Sequence, residues 1–275
     1  MIQDYLEKIA KTGELILLDN NVLSESRTFS GSLAEDIYVC DTNFSFNPSE
    51  VEYAINWFDN FIKFLKLNTN IRFSLGVVKE KKSFSDILQG QYDYHHKRLD
   101  KIYRRLRKSK KGFIILEDNG PYYLEDYKVD QDFLELLRKF SVSVYKSYNE
   151  IRKKQLEPLE NFNDVFEFTK TLTKKHGLKY SKEKIDRNLH YKEEHSSNDE
   201  ELAALAFSYS FNEPVHLVSF DRDILRICNV LWERKAKESI KPRFPVHFHS
   251  WVSEDGKPVR YKERVLSHIK SYYFS

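Results

Sequence analysis

Three aspartates of this 275-residue chain come where a short apolar run stops. Asp19 ends the run at 15–18, and Asp221 and Asp223 follow the run at 216–219. Apolar runs that are too short for a helix and are bounded by polar residues predict strands buried on both faces. Because open α/β sheets bind ligands at the carboxyl ends of their strands, these carboxylates are candidates for one shared site.

Two further acids stand close to other predicted elements. Glu80 comes shortly after a predicted strand at 70–75, and Asp199 lies in the polar stretch that opens a predicted helix at 202–209. Carboxylates that crowd together repel one another, so each holds its proton more tightly until a cation binds. Hard cations such as Mg²⁺ and Mn²⁺ prefer oxygen ligands and activate water against phosphodiester bonds. The five acids therefore predict a Mg²⁺ or Mn²⁺ site.

The order of these motifs resembles that of the PIN-domain family of metal-dependent ribonucleases. The stretch at 18–23 is similar to the family's Asp-x-Asn strand end, and the stretch at 77–80 is similar to its Glu-bearing helix. The stretch at 198–206 resembles the family's third-acid helix. The stretch at 218–225 resembles its strand end with Ser or Thr two residues before an Asp.

The resemblance implies an α/β fold, a three-layer α/β/α sandwich around a mainly parallel sheet. Its catalytic core would comprise 1–81 and 195–275, interrupted by a mainly helical insertion at 82–194. The reaction it implies is endonucleolytic hydrolysis of RNA that leaves a 5′-phosphate. The catalytic and metal-binding residues would be Asp19, Glu80, Asp199 and Asp221, with Asp223 serving a second ion and Asn21 and Ser219 orienting ligands or phosphate.

A strongly basic amphipathic helix is predicted within the insertion, between residues 97 and 111. Its apolar positions recur at helical spacing, which leaves a basic face. Lys and Arg make most contacts to nucleic-acid phosphates, so this face is a candidate clamp for single-stranded RNA. A solvated helix face, or a docking surface for an acidic protein, explains the same pattern. The proposed phosphate-binding residues are Arg104, Arg105, Arg107 and Lys108.

Composition indicates a soluble globular protein, with 40% hydrophobic residues, 32% charged residues and a net charge of +3. The absence of an 18-residue apolar run and of a charged leader argues against a membrane association. Cys40 and Cys228 are far apart, which favours a reducing cytoplasm. No Gly-x-Gly occurs, so a dinucleotide-binding turn is disfavoured. Asn21 stands where a phosphatase with two flanking acids would need an acid.

Further elements are predicted from local patterns. They are a helix that starts at 48–50 and extends to 65, a hairpin around 118–120, a helix from 130 toward 155, a helix at 164–175 and an edge strand at 245–248. His247 and His249 fall on one side of that edge strand and are interpreted as structural or surface histidines.

Several functional alternatives stay open at this point. A catalytically inactive PIN-like module that binds RNA or protein is the main rival to the nuclease. A protein partner, an antitoxin-like regulator and a homo-oligomer are also compatible with the sequence.

Overall fold

A computed structural model of the chain describes residues 2–23, 48–116, 120–175, 196–219, 221–235, 243–252 and 268–274. The helices are α1 (Ile2–Ala10), α2 (Asn20–Leu23), α3 (Pro48–Leu67), α4 (Leu75–Lys108), α5 (Leu124–Lys153), α6 (Phe162–Lys175), α7 (Ser196–Tyr209) and α8 (Arg222–Lys235). The strands are β1 (Leu15–Leu18), β2 (Ile71–Arg72), β3 (Phe113–Leu116), β4 (Gly120–Tyr123), β5 (Val215–Val218), β6 (Val246–Val252) and β7 (His268–Phe274).

The larger sheet has five strands in the order β2-β1-β5-β6-β7. Neighbouring strands from β2 to β6 pair in parallel, and β7 is antiparallel to β6. Every residue of β1 and β5 is buried, as their unbroken apolar runs predict for central parallel strands. The predicted α/β class with a mainly parallel sheet is therefore confirmed.

The prediction of an edge strand at 245–248 is wrong. β6 lies inside the sheet, between β5 and the unpredicted strand β7. Val246 and Phe248 point into the apolar core and are fully buried, while His247 and His249 alternate onto the opposite face. The sequence does not show the central position of β6, because that position is set by pairing with β5 and β7.

The chain divides into two compact units. The first comprises Met1–Glu25, Leu65–Glu80 and Ile151–Ser275, and the second comprises Ser26–Phe64 and Lys81–Glu150. Residues 82–150 of the predicted insertion at 82–194 belong to the second unit. Helix α6, which was also predicted to be part of the insertion, belongs to the first unit.

In the first unit, helices α6, α7 and α8 cover one face of the sheet. Leu17, Leu217 and Phe248 of neighbouring strands meet this helical layer and have no exposed surface. Helix α7 is buried on all sides along 202–207, which explains why its sequence is apolar without helical periodicity. Its first turn alone is polar, and Asp199 lies there.

The second unit has a helical core of its own. Phe58 of α3, Leu88 of α4 and Phe140 of α5 pack in one apolar cluster with almost no exposed surface. Strands β3 and β4 form an antiparallel pair whose register brackets 117–119, so the predicted hairpin is confirmed on both sides of its turn. The turn residues Asp118 and Asn119 lie outside the described residues.

Two helices differ from their predicted bounds. The helix that carries Glu80 and the basic helix at 97–111 are one helix of 34 residues, α4. Helix α5 begins at Leu124, not at Asp130, because the Asp126 carboxylate accepts a hydrogen bond from the backbone N–H of Tyr123 at 2.7 Å. This capping bond satisfies a free donor at the helix start. Asp130 instead accepts a hydrogen bond from the Tyr122 hydroxyl.

Candidate functional site

Asp19 lies at the carboxyl end of β1, as predicted, and its side chain is held by neutral donors. The Ser219 hydroxyl donates to Oδ2 of Asp19 at 2.7 Å, and the backbone N–H of Asn20 donates to Oδ1 at 2.6 Å. Parallel pairing of β1 and β5 puts Asp19 and Ser219 at the same edge of the sheet. Burial and the nearby carboxylates of Glu80 and Asp221 raise the pKa of Asp19 to about 7, against these hydrogen bonds.

Asp199 is the carboxylate with the most like charges around it. Burial raises its pKa well above the usual range, and Asp19, Asp221, Glu80 and Asp223 each raise it further. Among the described residues, no group donates a hydrogen bond to this carboxylate. The other four predicted acids therefore lie within electrostatic reach of Asp199, although they come from separate stretches of the chain.

Asp221 and Asp223 also have local structural roles. Oδ1 of Asp221 accepts the backbone N–H of Asp223 at 2.8 Å, which caps the first turn of α8. Asp223 forms an ion pair with Arg226 at 2.9 Å, three residues along the helix. The backbone N–H of Asp221 in turn donates to the Ser219 hydroxyl at 3.0 Å. Ser219 thus links the two strand ends through one side chain.

The acids match a divalent cation in donor chemistry but not in spacing. All are carboxylates, the oxygen ligands that Mg²⁺ and Mn²⁺ prefer. The side-chain oxygen of Asn20, next to Asp19, is buried and accepts no hydrogen bond in the described part of the protein. Yet no three His, Cys, Asp or Glu side chains among the described residues are arranged closely enough to hold a metal ion.

The remaining predicted residues are distributed as follows. Asn21 lies in α2, and its side chain is outside the described part of the structure. Arg104, Arg105, Arg107 and Lys108 are exposed on α4 within the second unit, whereas the acids belong to the first.

The three arginines of the basic face each have an intramolecular contact. Arg104 forms a 2.7 Å ion pair with Asp100, and Arg105 donates to the carbonyl of Ile115 at 3.3 Å. The Arg107 guanidinium lies 6.0 Å from the ring centre of Tyr103. These contacts give the basic face a structural role as well as a positive charge.

A histidine network on the other face of the sheet is the main feature that the sequence did not reveal. His216 Nδ1 and His249 Nε2 are 2.8 Å apart, and His216 Nε2 lies 2.6 Å from a carboxylate oxygen of Glu14. At the other end, His249 Nδ1 lies 2.8 Å from both the Tyr5 hydroxyl and the Ser271 hydroxyl. With Glu14 ionised, each N–H or O–H in this network has an acceptor.

Comparison with known proteins identifies no relative of this chain. No family model, no curated protein and no solved structure matches it. In the described part of the chain, none of the helices combines the length and the apolarity that spanning a bilayer requires.

Proposed function

We propose that the chain is a cytoplasmic, PIN-like endoribonuclease that depends on Mg²⁺ or Mn²⁺ and cuts single-stranded RNA. The observation that supports this proposal is the meeting of two strand ends at one sheet edge, where Ser219 donates to Asp19 at 2.7 Å and where burial and four other carboxylates raise the pKa of Asp199. A site of like charges destabilises the folded protein unless a cation neutralises it. The three-layer sandwich of the PIN fold is part of the same proposal.

Each acid has a role in the proposed site. Asp19, Glu80, Asp199 and Asp221 would hold the cation, with Asp223 serving a second one. A bound cation supplies an activated water and neutralises charge on the phosphate. Ser219 fixes the orientation of the Asp19 carboxylate through its 2.7 Å hydrogen bond.

The test is cleavage of a labelled, mixed-sequence single-stranded RNA by the full-length protein in Mn²⁺, in Mg²⁺ and in chelator. We expect cutting only with a cation, and a loss of at least about 100-fold in the Asp19→Asn variant, because removal of a ligand charge weakens the metal site. Glu233→Gln is the matched control, since it neutralises an exposed carboxylate of α8. Equal cutting by the Asp19→Asn variant would contradict the assignment.

A second candidate is a PIN-like module that binds RNA without cutting it. The observation that favours it is that no three acids among the described residues have the spacing of a metal site. Salt-sensitive RNA binding by the wild-type and Asp19→Asn proteins, with no cutting by either, would support this candidate.

The basic face is tested separately from the acids. Replacing Arg104, Arg105 and Arg107 with Gln should lower the slope of log K against log salt for single-stranded RNA by about 2, if all three contact phosphates. The control replaces Lys8, Lys11 and Lys66, which are exposed, by Gln. An unchanged slope would assign the arginines to their internal contacts alone.

A further inference from the structure

The β3–β4 hairpin of the second unit has one anchored face and one open face. Side chains alternate between the two faces of a strand pair. The anchored face carries Tyr122, whose hydroxyl donates a hydrogen bond to Asp130 of α5 at 2.5 Å. The pairing register puts four apolar or aromatic side chains on the open face: Phe113, Ile115, Pro121 and Tyr123.

The open face differs in character from an ordinary solvated sheet face. Antiparallel sheets with one face in water normally turn polar side chains outward. On this hairpin Ile115 is 63% exposed and Tyr123 is 45% exposed. The rings of Phe113 and Tyr123 are neighbours across the two strands, with centres 5.6 Å apart. A cluster of exposed apolar side chains is more typical of a binding surface than single exposed ones are.

Cations line the β3 edge of the open face. Residues 97–111, which precede β3, contain nine Lys or Arg and a single acid. The end of α4 lies along the outer edge of β3, because Arg105 donates to the carbonyl of Ile115 at 3.3 Å. Strand β4 leads instead into Glu125 and Asp126 in the first turn of α5. A polyanion on this surface is therefore attracted to the β3 edge.

We propose that the open face stacks the bases of single-stranded RNA, while the cations at the β3 edge bind its phosphates. The inference rests on the proposed function and states how the second unit holds the RNA. Aromatic side chains on a sheet stack unpaired bases, and Lys and Arg contact the phosphates of the same strand. Bases in a duplex already stack on one another, so exposed rings favour a single strand.

A protein partner with an acidic rim is the rival occupant of the open face. It would match the cations as well as RNA does. The aromatic ring separates the two, because bases stack on rings, whereas an apolar protein surface packs equally well on an aliphatic side chain.

The test titrates the full-length protein into a labelled, mixed-sequence single-stranded RNA of about 12 nucleotides and follows fluorescence anisotropy. Chelator is present, so the proposed nuclease does not cut. A second probe of the same length has the same phosphates but no bases. We expect Tyr123→Ala to weaken binding of the normal strand by about 5–150-fold, the range for losing one stacked base. Binding of the abasic strand should change by less than about twofold, since its phosphate contacts remain.

The control variants separate the ring from apolar contact and from folding. Tyr123→Phe keeps the ring and should bind the normal strand within about twofold of wild type. Tyr123→Leu keeps an apolar side chain but no ring, so it should weaken binding as Tyr123→Ala does. Tyr145→Ala should leave binding unchanged, because Tyr145 is 55% exposed and lies about 30 Å along α5 from the hairpin. Far-UV circular dichroism checks that each variant is folded.

Three results would overturn the inference. Normal binding by the Tyr123→Ala protein would remove the stacking role, and equal weakening on the normal and abasic strands would show an effect through phosphates. Wild-type affinity of the folded Tyr123→Leu protein would assign the open face to apolar contact, as for a protein partner. Metal-dependent cutting together with any of these results overturns this inference alone. A wild-type protein that binds neither strand and cuts no RNA would overturn the proposed function as well.

Discussion

The first unit contains two buried polar clusters. The polar groups of one are paired by hydrogen bonds, whereas the other consists of carboxylates that repel one another. In the histidine network of Glu14, His216, His249, Tyr5 and Ser271, each donor meets an acceptor. In the acidic site, four other carboxylates lie close enough to raise the pKa of Asp199. Satisfied polar groups are compatible with a structural role, whereas clustered like charges with shifted pKa values are more typical of functional sites.

The largest expected effect comes from breaking the satisfied cluster. His249→Leu removes the central group and leaves His216 Nδ1 without its partner, so the free energy of unfolding should fall by about 3 kcal/mol. Chemical denaturation at pH 7 measures this change. His247→Leu is the matched control, because His247 is on the same face and shows no hydrogen bond among the described residues. Equal losses in the two variants would contradict a stabilising network.

The second substitution, in the acidic site, should raise the free energy of unfolding instead of lowering it. Asp199→Asn removes one like charge from the acidic site, so the metal-free protein should gain about 1–2 kcal/mol of unfolding free energy at pH 7. The same variant should lose any thermal stabilisation by Mn²⁺, since a bound ligand stabilises only the state that binds it. Glu233→Gln is the control for the charge change alone. A destabilised Asp199→Asn protein would argue that this carboxylate has a structural role.

The pH dependence of stability should distinguish the clusters further. Burial lowers the pKa of His216 and His247, and it lowers that of His249 to about 3, with the neighbouring histidines contributing. The unfolded chain therefore binds more protons below about pH 6.5, and this contribution to stability is lost as pH falls. For Asp19, whose pKa is raised to about 7, the contribution is instead lost as pH rises from about 4 to 7.

The histidines and Asp19 change the unfolding free energy with pH in opposite directions, so a variant of each should reveal its contribution separately. Between pH 4 and 6.5, Asp19→Asn should make the slope of unfolding free energy more positive by up to about 1.4 kcal/mol per pH unit. His249→Leu should make it less positive by a similar amount. Denaturation curves at four or five pH values measure both. Parallel profiles for the wild-type and variant proteins would show that neither group changes its pKa on folding.

The smallest effect concerns Asp223, which belongs to the acidic site only at its margin. Its ion pair with Arg226 is partly exposed, and exposed pairs contribute little. Arg226→Ala should therefore change the unfolding free energy by less than about 0.5 kcal/mol. If Asp223 serves a cation, this variant should keep or strengthen the thermal shift caused by Mn²⁺. A weaker shift would exclude that role for Asp223.

The strand-end positions of Asp19 and Ser219 were predictable because their signals are local. An apolar run that stops at Asp19 or Ser219 reports a strand end, and parallel strands bring such ends together. The histidine network was not predictable, because Glu14, His216 and His249 are joined by contacts between residues far apart in the sequence. Strand β7 was missed for the same reason, since it is defined by its pairing with β6.

The predicted bounds of α4 and α5 depended on weaker signals. No proline separates Glu80 from the basic segment, and Gly90 is the one residue between them that disfavours a helix, so the sequence allowed one helix or two. The start of α5 depended on which Asp acts as a cap, and Asp126 and Asp130 look alike in sequence. The spacing of the acids is equally absent from the sequence, because it is set by tertiary contacts such as that between Gly76 and Asn198.

The bond between Ser219 and Asp19 joins residues that are 200 positions apart, which has a consequence during synthesis. At about 5–20 residues per second, translation from one to the other takes about 10–40 s. For most of that interval the nascent chain contains Asp19 but lacks β5. It also lacks Asp221 and Asp223, which follow β5 in the sequence. If the chain cuts RNA as proposed, the ribosome that makes it translates these 200 positions of the message before the emerging protein can attack it.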